Sequence, residues 1–140
     1  MKGPFMPIIY VAMSNAMQEW GADVGASKNL FKVGVTEDDA EGAVEALGAD
    51  SYAGQADWQL AGKKKADLDE ETLLQRIAER HQVLDPLYYP RLKGVKDIVR
   101  VDQRMVEADI VIKKTMAGKD AKVPKLKPKD MAAYLIESVL

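Results

Sequence analysis

The chain of 140 residues contains no cysteine and a single histidine, His81. The absence of cysteine excludes disulfides and thiolate metal sites, and it fits a reducing compartment. A metal site built on two histidines of one chain is excluded as well. Because His81 follows the apolar positions of a predicted helix, we interpret it as a packed side chain with one hydrogen bond rather than as a catalytic group.

Long apolar runs are also missing. The apolar stretch at residues 7–13 is far shorter than the roughly 20 residues that a membrane helix needs. It has only Lys2 before it and no clear cleavage site after it, so it does not fit a signal peptide. We therefore expect a buried strand here, a cytoplasmic protein and no membrane partner. Glycine-rich phosphate loops, zinc helix motifs and nucleophile elbows are absent too.

The net charge of −2 is unevenly distributed. Through Leu87 there are 8 basic and 15 acidic residues, whereas from Tyr88 onward there are 12 basic and 7 acidic residues. A basic half can bind phosphates or acidic partners, although the same lysines can also form an ordinary solvated surface. If the protein binds nucleic acid, we expect eight cations of this half to make much of the contact: Arg91, Lys93, Lys96, Lys113, Lys114, Lys122, Lys125 and Lys127.

Short segments rich in apolar residues predict the strands, and the one at residues 30–35 alternates between two faces. They lie at residues 8–13, 30–35, 58–60 and 96–101, and the first two are expected to pair antiparallel. Residues 14–29, rich in glycine, alanine and polar side chains, are predicted to form a long connection. Trp58 and Tyr52 could stack on bases, but core positions are the simpler interpretation.

Helical spacing predicts four helices. Thr36 is expected to cap the first, at residues 37–47, and the second covers residues 69–84. Asp102 caps the third, whose buried positions are predicted to be Met105, Ala108, Ile112 and Met116. Pro128 opens the last helix. The fold class is therefore α/β (α+β): a small, mostly antiparallel sheet of three to four strands flanked by helices, with two appended C-terminal helices.

Two segments together resemble a known signature. Residues 9–17 read IYVAMSNAM, and residues 30–36 read LFKVGVT. Their order resembles the paired strands of the GIY-YIG nuclease superfamily, and most closely its phage-associated branch with a Lys-Ile-Gly second motif. The resemblance covers roughly residues 8–101. It implies a GIY-YIG-like domain at residues 1–101, followed by a helical extension at residues 102–140 packed on the same domain.

The resemblance also implies roles for individual residues. Tyr10 matches the first-strand tyrosine that helps to activate the attacking water, Lys32 stands where the classical second motif has tyrosine, and Gly34 matches the motif glycine. The family also uses an arginine on its first helix and a glutamate on a later helix that holds one divalent metal. Here residues 37–47 contain no basic side chain. Gln75 falls at the position of the glutamate, with Glu71 and Glu79 one turn to either side.

These departures predict a degraded active site with no cofactor. The expected function is that of a weak or inactive nuclease relative that acts as a nucleic-acid-binding or interaction module. Two alternatives stay open: an active Mg- or Mn-dependent endonuclease with a rearranged site, and an unrelated small α/β protein-interaction domain. The acidic character of the half that carries Tyr10 and Lys32 argues against both nucleic-acid hypotheses. The basic C-terminal half could instead contact another protein or a second copy of the chain.

Overall fold

A computed structural model describes residues 6–25, 29–85, 89, 92, 95–120, 122–123 and 125–140. Its strands are β1 (Ile8–Ser14), β2 (Leu30–Thr36), β3 (Trp58–Lys65), β4 (Gln82–Val83) and β5 (Ile98–Arg100). They form one sheet in the order β3-β1-β2-β5-β4, and every neighbouring pair is antiparallel. The predicted α+β class and antiparallel sheet are confirmed, with five strands instead of three or four.

Strand β1 lies between β2 and β3. On one side Tyr10 pairs with Gly34, so the two predicted strands are antiparallel neighbours. On the other side Val11 pairs with Gly62 and the next pair joins Ala12 to Leu60, which leaves one extra residue in β3 as a bulge. The bulge interrupts the regular ladder between β1 and β3.

The described residues contain five α-helices: α1 (Asn15–Asp23), α2 (Ala40–Ala49), α3 (Glu70–Arg80), α4 (Gln103–Met116) and α5 (Pro128–Ser138). A short 3₁₀ helix spans Tyr52–Gly54. Helix α1 replaces the long connection predicted at residues 14–29, so that prediction is wrong. Ser14 caps α1 by accepting from the backbone amide of Met17 at 3.0 Å. Asp57 accepts from the amide of Ala16, also at 3.0 Å, and from the Ser14 hydroxyl. Both caps satisfy amide donors at the start of the helix.

Two predicted helix boundaries are also wrong. Asp39, and not Thr36, caps α2, because its carboxylate accepts from the amides of Glu41 and Gly42. The next helix, α3, ends at Arg80 instead of running to residue 84. The two residues that follow His81 pair with β5 as strand β4, so their backbone groups bond across the sheet instead of along a helix.

Each face of the sheet has its own core. One face, formed by residues that include Val11 and Val33, is covered by α3 and α5. The other face carries Tyr10, Ala12 and Leu30 and is covered by α2. Helix α5 approaches β3 closely at Gly62, where an added Cβ would lie 2.9 Å from the Cβ of Ala132. The last helix is thus packed directly on the sheet.

Helix α4 is oriented differently from the prediction. Met105, Ile112 and Met116 are 47%, 57% and 83% exposed, so the predicted buried stripe faces solvent. Val106 is buried and Ile110 packs partly against the same core. The prediction failed because α4 has apolar residues on two sides at helical spacing, and the sequence does not show which side packs against the rest of the domain. Within the described residues no helix is both long and apolar enough to cross a membrane.

Candidate functional site

Lys32 is a buried cation in the middle of β2. The residue is 3% exposed, and its ammonium Nζ lies 3.0 Å from Oδ2 of Asp97. The same nitrogen donates to the carbonyl of Val33 at 3.1 Å. Asp97 immediately precedes β5, and its carbonyl accepts from the amide of Val33 at 3.1 Å. The pairing of β2 with the chain before β5 therefore brings the carboxylate to the lysine.

Two tyrosines complete the surroundings of this cation. The Lys32 Nζ lies 5.1 Å from the centroid of the Tyr10 ring and 5.2 Å from that of Tyr52, within the range of a cation–π interaction. The Tyr52 hydroxyl donates to Oδ1 of Asp97 at 2.7 Å. Both carboxylate oxygens are thus used, one by an ammonium and the other by a phenol. We call Tyr10, Lys32, Tyr52 and Asp97 the Lys32 cluster.

Gly34 lies directly beneath the cluster. A Cβ added at this position would lie 2.5 Å from the hydroxyl oxygen of Tyr10 and 2.8 Å from Nζ of Lys32. Any larger residue would collide with both side chains unless they moved. The absence of a side chain at Gly34 thus allows the Tyr10 and Lys32 side chains to lie this close to the backbone.

The electrostatics of the cluster oppose proton transfer near neutral pH. Burial by itself would lower the pKa of Lys32, but the attraction of Asp97 and Tyr10 outweighs it and raises that pKa above its ordinary value of 10.5. Burial raises the pKa of the Tyr52 phenol, and the hydrogen bond to Asp97 raises it further. At neutral pH Lys32 is charged and Tyr52 is neutral, so neither can accept a proton as a general base.

The three predicted positions on α3 do not join this cluster. Glu71, Gln75 and Glu79 are exposed, whereas Leu73 and Ile77 of the same helix are buried in the core on the other face of the sheet from Tyr10. Because the exposed residues lie on the outer side of α3, their side chains and those of Tyr10 and Lys32 are separated by the sheet. The structure brings Tyr10, Lys32 and Gly34 together and leaves the α3 residues apart.

Helix α2 has no arginine or lysine of its own, but a lysine of β3 lies beside it. Lys63 pairs with Tyr10 in the strand register, and its Nζ lies 2.6 Å from Oε1 of Glu41 on α2. The hydrogen bond from Lys63 is the main cause that lowers the pKa of the Glu41 carboxyl to about 2. Both side chains are about half exposed. They therefore form a surface ion pair on the same face of the sheet as the Lys32 cluster.

The predicted nucleic-acid contacts fall into three groups. Arg91 and Lys93 lie outside the described residues. Lys113 forms ion pairs with Asp109 and Glu137, and Lys114 donates to the carbonyl of Lys122 at 2.6 Å. The remaining side chains are exposed and are Lys96, Lys122, Lys125 and Lys127. Of these, Lys122 lies 4.0 Å from a carboxylate oxygen of Asp120, a distance at which an exposed pair contributes little.

His81 immediately follows α3. Its Nε2 lies 2.8 Å from Oγ of Ser138, and the Ser138 hydroxyl donates to the carbonyl of Leu135 at 2.7 Å. Since the serine hydrogen is used there, the imidazole nitrogen is the donor. Burial and the neighbouring Arg80 lower the pKa of His81. This matches the expected packed histidine with one hydrogen bond.

Sequence reasoning missed Asp97 and Tyr52. One signal pointed toward them: strand alternation places Lys32 on the same face as Leu30 and Gly34, a buried setting in which a cation needs a carboxylate. Trp58 is buried as expected and donates to the carbonyl of Tyr52 at 2.9 Å. The two rings are in edge-to-face contact with centroids 6.2 Å apart.

Within the part of the chain that the structure describes, no three histidine or carboxylate side chains cluster closely enough to hold a metal ion. Comparisons of the chain with protein-family models, with curated proteins and with solved structures each find no match.

Proposed function

We propose that this chain is a GIY-YIG-like domain with a degraded active site, a weak or inactive nuclease relative that acts as a nucleic-acid-binding or interaction module. The observation that carries the proposal is the burial of Lys32 in an ion pair with Asp97. A cation that is 3% exposed and held at 3.0 Å by a carboxylate is not available to a phosphate outside the fold.

The other residues implied by the resemblance support the same conclusion. Tyr10 is 6% exposed, so an attacking water has no open approach to its hydroxyl. The carboxylates of α3 face solvent on the far side of the sheet. Loss of one group aimed at transition-state charge typically lowers a rate by about 10²–10³. With several of these groups separated, we expect cleavage to be weak or absent.

The exposed lysines of the C-terminal half are the proposed contact surface for nucleic acid. Lys96, Lys122, Lys125 and Lys127 carry long, flexible cations on loops and near the start of α5, where they can reach phosphates without base readout. Such binding is insensitive to sequence and strongly dependent on salt. Because the first half of the chain is acidic, we expect an affinity in the micromolar range at best.

The first experiment tests cleavage. Supercoiled plasmid and single-stranded RNA are incubated with the protein and magnesium or manganese, and we expect little or no product. Protein purified in parallel with the Tyr10→Phe substitution controls for a contaminating nuclease. Robust cleavage that disappears in Glu71→Ala or Glu79→Ala, but not in Gln75→Ala, would refute the inactivity and point to the rearranged endonuclease.

The second experiment tests binding. Fluorescence anisotropy with a labelled duplex at two salt concentrations should show binding that weakens as salt rises. Replacing Lys96, Lys122, Lys125 and Lys127 together by glutamine should reduce the log–log salt slope by roughly 0.9 for each phosphate that the variant no longer neutralises. The matched control replaces the exposed lysines of β3, Lys63, Lys64 and Lys65, in the acidic half. No binding at low salt, or an equal effect of both variants, would leave the protein-interaction function in place of the nucleic-acid one.

A further inference from the structure

Tyr52 is the member of the Lys32 cluster that is most exposed to solvent. The other three members are buried, with exposures between 3% and 8%, whereas Tyr52 is partly buried. The centroid of its ring lies 5.2 Å from Nζ of Lys32, and its hydroxyl donates to Oδ1 of Asp97 at 2.7 Å. Tyr52 is thus the member through which the cluster meets solvent.

The backbone on both sides of Tyr52 is strained. We call residues 51–55, which lie between α2 and β3, the 51–55 segment. Ser51 and Ala53 have φ angles of 50° and 53°, and within the described residues they are the two non-glycine residues with positive φ. In this left-handed region the Cβ of an L-residue crowds the following carbonyl oxygen. Strain of this kind persists only where other contacts hold it in place, and it is common in segments that move.

The same segment contains a buried amide that lacks a partner. Gln55 is 7% exposed, and in the part of the chain that the structure describes its side-chain nitrogen makes no hydrogen bond. A buried donor without an acceptor is unfavourable, because water would satisfy it. The strain and the unsatisfied amide therefore both disfavour the present position of the segment, and movement into solvent would relieve both.

Specific contacts oppose that movement. The indole of Trp58 donates to the carbonyl of Tyr52 at 2.9 Å, and Ala53 packs in the core on this face of the sheet. Trp58 belongs to β3, the strand that follows the segment. The bond from Tyr52 to Asp97 instead joins residues that are 45 positions apart, and its acceptor is a carboxylate, which makes it stronger than a bond between neutral groups. This bond ties the segment to the far side of β2.

We propose that the 51–55 segment is a displaceable cover of the Lys32 cluster, with the hydrogen bond from Tyr52 to Asp97 as its latch. In the closed state the cover shields Nζ of Lys32 from solvent. In the open state Nζ and the carboxylate of Asp97 are accessible to water and small solutes. The closed state predominates, and the open state is a minor population in equilibrium with it. The cover thus controls access to a buried cation.

Pulsed acetylation with acetic anhydride, followed by peptide mass spectrometry, measures access to Lys32. The exposed Lys64 of β3 is the internal reference. In the unmodified protein Lys32 should react slowly, at a rate that is independent of urea below the unfolding transition, because a local opening exposes little new surface. Acetylation of Lys32 that appears only in step with global unfolding as urea is added would overturn the proposal, since access would then require unfolding of the whole domain.

A substitution at Tyr52 tests the latch. Tyr52→Phe keeps the ring but removes the hydroxyl, so it should raise the urea-independent rate at Lys32 by roughly tenfold. The matched control is Tyr134→Phe on α5, whose ring packs against the core on the other face of the sheet and should leave the rate unchanged. Equal rates in Tyr52→Phe and the unmodified protein would overturn the proposal.

A substitution at Ser51 tests the strain. Glycine adopts a positive φ without steric cost, so Ser51→Gly should stabilise the closed state. Because glycine also has more freedom in the open state, we expect the rate at Lys32 to fall by only about threefold. Ser51→Ala retains the Cβ and should react like the unmodified protein. If Ser51→Gly reacted as fast as the unmodified protein, strain would not drive the opening and the proposal would be overturned.

The proposal goes beyond the proposed function, because it concerns access to the Lys32 cluster and not cleavage or binding of nucleic acid. The acetylation experiment contains no nucleic acid, so its outcome is separate from failure of the proposed function.

Discussion

Asp97→Asn keeps the shape of its side chain but leaves the Lys32 ammonium beside a neutral amide. The lysine and aspartate side chains are 4% and 11% exposed, so water cannot replace the missing charge. The ammonium would retain the carbonyl of Val33 and the two tyrosine rings. Removing one member of a buried ion pair costs about 3–5 kcal/mol, a large part of the roughly 5–15 kcal/mol that stabilises a domain.

A second substitution separates the charge effect from the loss of packing. Lys32→Met combined with Asp97→Asn removes the ammonium together with its carboxylate and fills the space with an unbranched apolar side chain. We expect this double variant to be more stable than Asp97→Asn alone by at least about 2 kcal/mol, because no unpaired charge remains buried. The amide at position 97 can still accept from the Tyr52 hydroxyl.

The two proteins should also respond differently to alkaline pH. In the unmodified chain the pKa of Lys32 is raised above 10.5. The contribution of Lys32 to the free energy of unfolding is therefore complete below the pKa of the unfolded state, and it is lost as the pH rises through the pKa of the folded state. Without Asp97, burial becomes the dominant influence and lowers the folded pKa below the unfolded one. The stability of Asp97→Asn should then rise with pH between those two values.

Urea unfolding followed by far-UV circular dichroism, at neutral and at mildly alkaline pH, measures both effects. The free energies of unfolding of the three proteins should rank unmodified chain, double variant, then Asp97→Asn. If Asp97→Asn lowered the free energy of unfolding by less than about 1 kcal/mol, the argument that Lys32 is a buried charge would be refuted. A double variant that is no more stable than Asp97→Asn would refute the same argument.

Two further predictions concern the cluster and the histidine. Gly34→Ala should lower the free energy of unfolding by about 1–3 kcal/mol, because its methyl group would overlap the Tyr10 hydroxyl; an unchanged urea midpoint would contradict this. The folded pKa of His81 is depressed, so stability should be complete above about pH 6.5 and fall as pH decreases toward the folded pKa. His81→Gln should flatten that part of a melting-temperature profile, and an identical slope would show that other groups cause it.

The pairing of β1 with β2 was predictable because the two strands follow one another along the chain. Residues 8–13 form a continuous apolar run, residues 30–35 alternate between two faces, and only an irregular connection was expected between them. Helix α1 was missed because Asp57, which helps to cap it, lies 43 residues after Ser14. Tertiary contacts of that separation leave no trace in the local pattern. Strand β4 was missed for the same reason, since its pairing with β5 overrides a helical pattern.

The candidate site was predictable only in part. Tyr10, Lys32 and Gly34 were identified from their strands, and the register brings them together as expected. Asp97 was not identified because its role depends on the position of β5 beside β2. The residues on α3 show the reverse difficulty: Glu71 and Glu79 have suitable chemistry and spacing, but the helix turns them to solvent. Spacing along one helix gives the relative positions of its side chains, and the packing of that helix decides where they point.

The bulge in β3 affects how the protein behaves when it is concentrated. Strand β3 is one edge of the sheet, and its last three residues are the exposed lysines Lys63, Lys64 and Lys65. An irregular edge strand that ends in adjacent positive charges resists addition of a further strand from another molecule. At the other edge β4 is only two residues long, too short to template a ladder. The sheet is thus protected against edge-to-edge growth into fibrils, even in a chain whose helix α4 exposes apolar side chains.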